Sequence, residues 1–446
     1  MGKHWPTWLL SWAITPSAGA ALGPPDVLTR GLQQVANDTS KEYNCSIAIA
    51  VRDGRSRSWE VAAGIADFST GRPAEVSEVF VLGSITKTFT GPAALQLVDQ
   101  GVWNLEMLFA PLVDPLLQRS GRPTLGEKFG AAAARITLRQ LLHMTSGLPD
   151  YDTSWVYGDP WRFNQYRNPQ HDFGPLEIYD RLRSKLDFEP GTRQAYCSTG
   201  YIIVGLGLAQ QAGVTSWHSY DQRVVIPAPL LRRGAMQRIR FALRGPCSNY
   251  TAEHGYDRMG PPVRLVEPAP NESTDVWQMS CLGGWTAGNV VAPVGDMASW
   301  TEALFGPGEQ IVSSSMQQVM KDTRTATNYG FYGIAAFNLT SASSDLPWPE
   351  NEAWGHLGST YGYQSISAFF PATNVTVVVA SNLEIRQQDQ PSSALCSAYA
   401  YSRSYLLGRP FPRCHFEKSS YFMGTCKCSS QGDSWPASLN DTAILI

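Results

Sequence analysis

The chain is 446 residues long, more than one hydrophobic core normally serves, so we expect two or more folded units. Hydrophobic residues make up 43% of the chain and 14 tryptophans are present, a composition that supplies packed cores and excludes a disordered protein. The net charge is −3 and no long basic run occurs, so neither nucleic acid nor an anionic membrane surface is indicated as a partner.

The first 20 residues have the pattern of a secretory signal peptide. Lys3 and His4 precede a short apolar run, 8–14, and Ala18-Gly19-Ala20 has the small-x-small form of a cleavage site. That run is too short to span a bilayer, and no later run reaches 18 apolar residues. A buried N-terminal helix is the alternative, but the break at Gly23-Pro24-Pro25 favours removal. We therefore predict a signal peptide at 1–20 and a secreted protein without a membrane span.

Glycosylation sequons and cysteines agree with export. We expect N-linked glycans on several of the seven sequon asparagines, which are Asn37, Asn44, Asn249, Asn271, Asn338, Asn374 and Asn440. Eight cysteines predict up to four disulfides, and Cys247 and Cys281 bracket a proline-rich stretch in a way that suggests they pair. The spacing of Cys414, Cys426 and Cys428 is not that of a zinc site, so we predict disulfide bonding there and no metal.

The folded part begins with a predicted hairpin. Two strand-like runs, 45–51 and 59–63, flank the turn signal Asp53-Gly54. A loop at about residue 80 then leads into an apolar helix that ends near Gly101. We expect this helix to be buried on several sides.

Ser84 and Lys87 lie at the entrance of that helix. Residues three apart share a helix face, so the hydroxyl and the amine can meet, as a serine nucleophile and its base would. The free N–H groups at a helix start also favour developing negative charge. The ordinary alternative is a serine N-cap followed by a surface lysine, because a single S-x-x-K arises readily by chance.

Further along, the pattern of residues 138–150 predicts a helix that is closed by Gly147 and Pro149. We expect His143 on this helix to pack against backbone groups rather than act in catalysis. The ring-rich loop 151–166 either lines a substrate channel or packs onto the domain. Tyr196 lies at a second loop-to-helix junction. Residues 228–282 predict an irregular, glycosylated insertion, and the last third returns to strands before a helix at about 391–407.

Four motifs occur in one order: Ser84-x-x-Lys87, the run 141–149, Tyr196-Cys197-Ser198 and His356-Leu357-Gly358. Together they resemble the serine β-lactamase and penicillin-binding protein family, in particular its class C β-lactamase, D-peptidase and esterase branch. The resemblance implies an α+β fold, an antiparallel β-sheet flanked by helices plus a mostly helical second domain. The β-lactamase-related domain would span 24–407, with an α/β part at about 24–110 and 285–407, a helical part at about 111–284 that contains the insertion 228–282, and a cysteine-containing tail at 408–446.

The resemblance also implies roles. Ser84 would be acylated by an ester or amide, and either Lys87 or Tyr196 would be the base, with Tyr196 passing the proton to the leaving group. Ser359 would add its N–H to that of Ser84 in the oxyanion hole, and His356, Gly358 and Ser198 would complete the substrate-binding side. No cofactor or metal is implied, and the partner is a small-molecule or peptide substrate.

Three departures from the family pattern bear on the substrate. His356 replaces the usual lysine, which predicts pH-dependent activity near the histidine range, about 6.5. Leu357 replaces a hydroxyl residue that holds a substrate carboxylate, and Ser198 replaces an asparagine. We therefore predict an esterase or D-peptidase-like serine hydrolase with at most weak β-lactamase activity. A binding or scaffolding protein that has lost turnover is the alternative.

Overall fold

The computed structural model describes residues 26–408 except 56, 152–160, 233, 235, 259–272, 309–310, 325–330, 341–347 and 386–387. The predicted signal peptide, the cysteine-containing tail after Gly408 and most of the aromatic loop 151–166 lie outside these residues. No helix among the described residues is both long enough and apolar enough to cross a membrane.

Helices and strands come in blocks along the chain. The helices are α1 Val27–Tyr43, α2 Lys87–Asp99, α3 Ala110–Arg119, α4 Leu125–Phe129, α5 Leu138–Leu142, α6 Trp161–Arg167, α7 Pro175–Arg181, α8 Ser198–Gln211, α9 Ala228–Arg232, α10 Val294–Phe305, α11 Ser314–Lys321 and α12 Asp389–Leu407. The strands are β1 Ile47–Arg52, β2 Ser58–Ala63, β3 Ile65–Asp67, β4 Arg72–Pro73, β5 Phe80–Val81, β6 Arg240–Phe241, β7 Tyr256–Asp257, β8 Thr274–Asp275, β9 Val290–Ala292, β10 Phe337–Asn338, β11 Trp354–Thr360, β12 Tyr363–Phe370, β13 Val375–Ser381 and β14 Leu383–Glu384. Strands β1–β5 come before α2, and a helical run follows from α2 to α9.

The largest sheet of the described residues is antiparallel, in the order β10-β11-β12-β13-β1-β2. It joins the two ends of the chain, because β1 pairs with β13, Ile47 opposite Ser381. Strand β13 is buried along its whole length, as expected for a central strand covered on both faces. The hairpin β1–β2 is the one predicted from the Asp53-Gly54 turn, and Gly54 takes the positive φ of 68° that such a turn uses.

Helices cover both faces of this sheet, and two neighbouring side chains of β2 show it. Trp59 lies edge-on to Tyr405 of α12 and donates its indole N–H to Asp26 at the start of α1. The next residue, Glu60, lies against Gly295 of α10. Because successive strand residues point to opposite faces, α1 and α12 cover one face and α10 covers the other. The structure therefore confirms the predicted α+β class, an antiparallel sheet flanked by helices.

The segment between α2 and α10 is mostly helical, and α8 is its buried centre. Residues 198–209 of α8 are buried all round, since α2, α3, α5 and the 3-10 helix Trp285–Ala287 pack against it. Helix α5 ends at Leu142, earlier than predicted, and His143 hydrogen-bonds the Asp322 carbonyl at 3.0 Å, the backbone contact expected for a packed histidine. The predicted irregular insertion contains short regular elements as well, since β6 pairs with β9 and β7 pairs with β14.

The cysteines in the part of the chain that the structure describes fall into two classes. Cys247 and Cys281 form the predicted disulfide, and Cys396 is also disulfide-bonded. Cys45 and Cys197 carry free thiols that are buried, so the prediction of up to four disulfides is too high. Burial raises the pKa of the Cys45 thiol to about 12, which makes it unreactive.

Candidate active site

The turn before α2 places Ser84. Gly83 has a φ of 51°, and a Cβ there would lie 2.5 Å from the Ser359 carbonyl oxygen, so only glycine lets the two backbones come this close. The 3-10 helix Gly83–Thr86 follows and runs directly into α2. Thr86 accepts a hydrogen bond from the Val290 N–H at 2.8 Å, which fixes the turn to β9. Ser84 is thereby held beside β11.

Lys87 lies one turn further along and is fully buried. Its Nζ atom is 2.9 Å from Ser84 Oγ, 3.1 Å from Ser198 Oγ and 2.9 Å from the Ala287 carbonyl oxygen. The predicted meeting of the serine hydroxyl and the lysine amine is therefore present. All three of these contacts are with neutral oxygen atoms.

Tyr196 lies on the other side of the amine. The Nζ atom of Lys87 is 5.0 Å from the centre of the Tyr196 ring. That ring is stacked on Phe337 at 5.8 Å and lies edge-on to Tyr332. The Tyr196 hydroxyl is buried. Ser84 and Lys87, from one stretch of the sequence, and Tyr196, from a distant one, therefore share one site, as predicted.

The start of α8 is held by a residue that the sequence analysis missed. Asp150 accepts the backbone N–H of Ser198 at 2.9 Å and that of Thr199 at 3.3 Å, so its carboxylate caps the helix. The cap orients Ser198 toward Lys87. The Ala287 carbonyl was also missed, although the Gly283-Gly284 pair before it, both with positive φ, marks the tight turn that delivers it.

Strand β11 forms the side of the site where we place the oxyanion hole. A Cβ at Gly358 would lie 2.0 Å from the Leu82 carbonyl oxygen, so this glycine serves close packing of β11 against the Ser84 turn. Ser359 is the next residue and is partly exposed. Its backbone lies against Gly83, which brings it beside Ser84. Leu357 is buried and offers no hydrogen bond to a substrate carboxylate.

His356 corrects two of the predictions. Its Nε2 atom is 2.8 Å from the Tyr332 hydroxyl and its Nδ1 atom 2.5 Å from the Leu357 carbonyl oxygen, so both ring nitrogens face protein groups. The side chain is fully buried, so it is not the substrate contact that was predicted. Burial and the nearby Lys87 hold the pKa of His356 well below its usual range. The imidazole therefore stays neutral, and it is not the source of pH dependence near 6.5.

Known proteins share this arrangement of sheet, helices and motifs. The model of the β-lactamase family matches residues 40–395, which is most of the chain. The chain belongs to the β-lactamase family. Similar proteins include hydrolases, a D-aminopeptidase and an esterase among them, and the protein is a serine hydrolase of this β-lactamase-related class.

Three similar proteins illustrate the family. The chain is 25% identical to penicillin-binding protein 4* of Bacillus subtilis over 383 residues, 85% of this chain and 76% of that protein. It is 30% identical to lovastatin esterase of Penicillium rubens over 204 residues, 44% of this chain and 49% of the esterase. The structure of D-amino acid amidase from Ochrobactrum anthropi SV3 has a TM-score of 0.64 at 20% identity and covers 85% of this chain and 100% of the amidase. The family match establishes the family and the structural likeness the fold, but neither chooses a substrate.

Proposed function

We propose that this family member cleaves an ester or an amide through an acyl-enzyme formed on Ser84. The observation that carries the proposal is the contact of 2.9 Å between Lys87 Nζ and Ser84 Oγ in a buried site. A buried amine that contacts a serine hydroxyl is the arrangement that activates a serine nucleophile.

The reaction proceeds in two steps. The Ser84 oxygen bonds to the substrate carbonyl carbon, and its proton passes to Lys87 or Tyr196. The N–H groups of Ser84 and Ser359 stabilise the resulting oxyanion, and each such donor contributes about 3 kcal/mol. Tyr196 delivers a proton to the departing alcohol or amine. Water then attacks the acyl-Ser84 carbonyl, and its proton returns through the same groups, releasing the acid and restoring Ser84.

Esters and amides are favoured over β-lactams by the surroundings of β11. Leu357 is buried and His356 is neutral, so these two residues present neither a hydroxyl nor a positive charge to a substrate carboxylate. The similarity to an esterase and to an amidase agrees with that preference. We expect hydrolysis of p-nitrophenyl esters or D-alanyl p-nitroanilide at rates well above that of nitrocefin. Equal or faster nitrocefin hydrolysis would contradict this assignment.

A labelling experiment tests the nucleophile. We expect a fluorophosphonate probe to label the wild-type protein rapidly and the Ser84→Ala variant not at all, with Lys87→Ala strongly slowed. Tyr250→Phe, a tyrosine of the insertion, is a control that should label like wild type. Failure to label a folded wild-type protein at any pH between about 5 and 9 would favour the binding protein instead.

We also propose that the protein is secreted and glycosylated. Support comes from the signal-like residues 1–20, from the Cys247–Cys281 disulfide and from the exposed sequon residues Asn37, Asn44, Asn249 and Asn338. Expression of the full chain in cells with a secretory pathway should give a protein in the medium that starts near Ala21 and becomes smaller on treatment with an N-glycosidase. Retention inside the cell with an intact N-terminus would contradict this.

A further inference from the structure

A buried ion cluster lies beside the active site. Arg162 of α6 donates from Nη1 to Asp257 of β7 and from Nη2 to Glu384 of β14. The two carboxylates are neighbours because β7 and β14 pair in parallel with Asp257 opposite Glu384. The side chains are 12%, 0% and 7% exposed, in that order. One guanidinium thus holds together two carboxylates that come from different strands.

Stability alone does not explain this cluster. Removing charges from water is costly, and a buried ion pair is often no more stable than well-packed apolar side chains of similar volume. Here two buried carboxylates face the same guanidinium, so the repulsion between them adds to the cost of burial. A cluster with that cost is better explained by what it positions than by the stability it adds.

Glu384 contacts the strand that bears the proposed oxyanion donor. Its Oε2 atom accepts the backbone N–H of Gly362 at 3.1 Å, in the turn between β11 and β12. Its Oε1 atom lies 3.4 Å from the Ser359 hydroxyl. Arg162 covers the ring of Tyr361, in the same turn, at 4.8 Å. Through one carboxylate, helix α6 is therefore tied to both ends of the segment 359–362.

We propose that Glu384 is a positioning residue for Ser359. The ion pair between Arg162 and Glu384 would hold α6 beside the oxyanion side of the site. This inference rests on the proposed function, in which the Ser359 N–H stabilises the oxyanion. An oxyanion donor must be placed accurately, since a displacement of about 1 Å can cost about a hundredfold in rate. The proposed oxyanion donor is the backbone N–H of Ser359. The contact between the Ser359 hydroxyl and Glu384 would act by holding that backbone N–H in place.

The ion cluster also predicts the pH range in which Glu384 stops positioning the Ser359 backbone. Arg162 and Tyr166 face the carboxylates from α6, Asp257 from β7, and Tyr361 with the Gly362 N–H from the turn. Burial raises the pKa of Glu384 to about 7, against the opposing effect of Arg162. The ionised form accepts from Arg162 and Gly362 and holds the turn. The acylation rate should therefore fall as the pH drops through about 7.

The test compares fluorophosphonate labelling rates of the full-length wild type, Glu384→Gln and Glu384→Asp between pH 5 and 9. Above pH 7, Glu384→Gln should label about tenfold to a hundredfold more slowly than wild type. Its labelling rate should not fall further below pH 7, because glutamine does not titrate. Glu384→Asp keeps a titrating carboxylate, so the decline should remain. Glu350→Gln is the matched control: it breaks the buried Arg403–Glu350 pair at α12 and should leave the rate profile unchanged.

The outcomes separate this inference from the proposed function. If wild type labels at Ser84 while Glu384→Gln has the same rate and the same pH profile, the positioning role is overturned and the nucleophile stands. If wild type does not label at Ser84, both are overturned. If Glu384→Gln does not fold, the pH profiles of wild type and Glu384→Asp test the inference. A wild-type labelling rate that is constant from pH 6 to 8 would contradict the positioning role of Glu384.

Discussion

Two buried cations of this protein lie in opposite surroundings. Lys87 contacts two hydroxyls and a carbonyl oxygen, whereas Arg162 lies between the carboxylates of Asp257 and Glu384. The carboxylates hold the pKa of Arg162 well above its usual range, so that its charge is permanent. The comparison shows two different surroundings for a buried basic side chain, and we propose that Lys87 serves catalysis whereas Arg162 holds the structure.

The largest effect should follow from replacing Lys87. Lys87→Met keeps most of the side-chain volume but removes the amine from Ser84, so kcat/KM for an ester should fall by about a thousandfold or more. Lys128→Met is the matched control, because Lys128 also lies over a tyrosine ring, that of Tyr179 at 5.1 Å, but outside the site. Equal activity of the two variants would contradict a role for Lys87 as the base. A lower rate of Lys87→Met than of Lys128→Met, at equal thermal stability, would support that role.

Replacing Arg162 should instead reduce stability. Arg162→Met leaves Asp257 and Glu384 buried without their cation, which should lower the free energy of unfolding by about 3–5 kcal/mol, measured in urea. The exposed pair Arg122–Asp180 provides the control, since Arg122→Met should cost no more than about 1 kcal/mol. Comparable losses in the two variants would show that the buried cluster is not a structural unit.

A third variant tests the environment of His356. Tyr332→Phe removes the hydroxyl that donates to His356 Nε2 and leaves a buried acceptor unsatisfied, at a cost of about 1–3 kcal/mol in stability. Because burial and Lys87 keep the imidazole neutral, the pH–rate profile should keep its shape. A new change in rate near pH 6.5 in this variant, measured with the same ester, would show that Tyr332 had kept His356 from titrating.

The smallest effect is expected at the cap of α8. Asp150→Ala leaves the N–H groups of Ser198 and Thr199 without their carboxylate, which should cost about 1 kcal/mol in thermal unfolding experiments. The variant Asp150→Asn keeps an acceptor and should recover most of the loss. No recovery would mean that the charge of Asp150, rather than its hydrogen bonds, stabilises the helix start.

The sequence predicted what depends on local spacing. Ser84 and Lys87 are three residues apart at a helix entrance, so their contact follows from helix geometry. The β1–β2 hairpin follows in the same way from two apolar runs and a turn, and the Cys247–Cys281 bridge from cysteines that bracket one segment. Tyr196 needed the order of the family motifs as well, because its approach to Lys87 is a long-range contact.

The sequence did not predict what depends on packing between distant segments. The Ala287 carbonyl reaches Lys87 across 200 residues, and Arg162 reaches Glu384 across 222. His356 was given the wrong role because its partner, Tyr332, and its burial appear only in the folded chain. A titratable residue in a motif therefore shows where chemistry can occur, while its surroundings decide whether it titrates.

In the proposed mechanism, Ser84 carries a covalent acyl group during turnover. The most direct measurement is mass spectrometry of the peptide that contains Ser84 after brief incubation with p-nitrophenyl acetate and acid quench. We expect an acetyl group on Ser84 in the wild-type protein and none in Ser84→Ala, with a burst of p-nitrophenol equal to the enzyme concentration if deacylation is slow. Turnover by a folded wild-type protein with the acetyl group on another residue, or turnover that persists in Ser84→Ala, would contradict it.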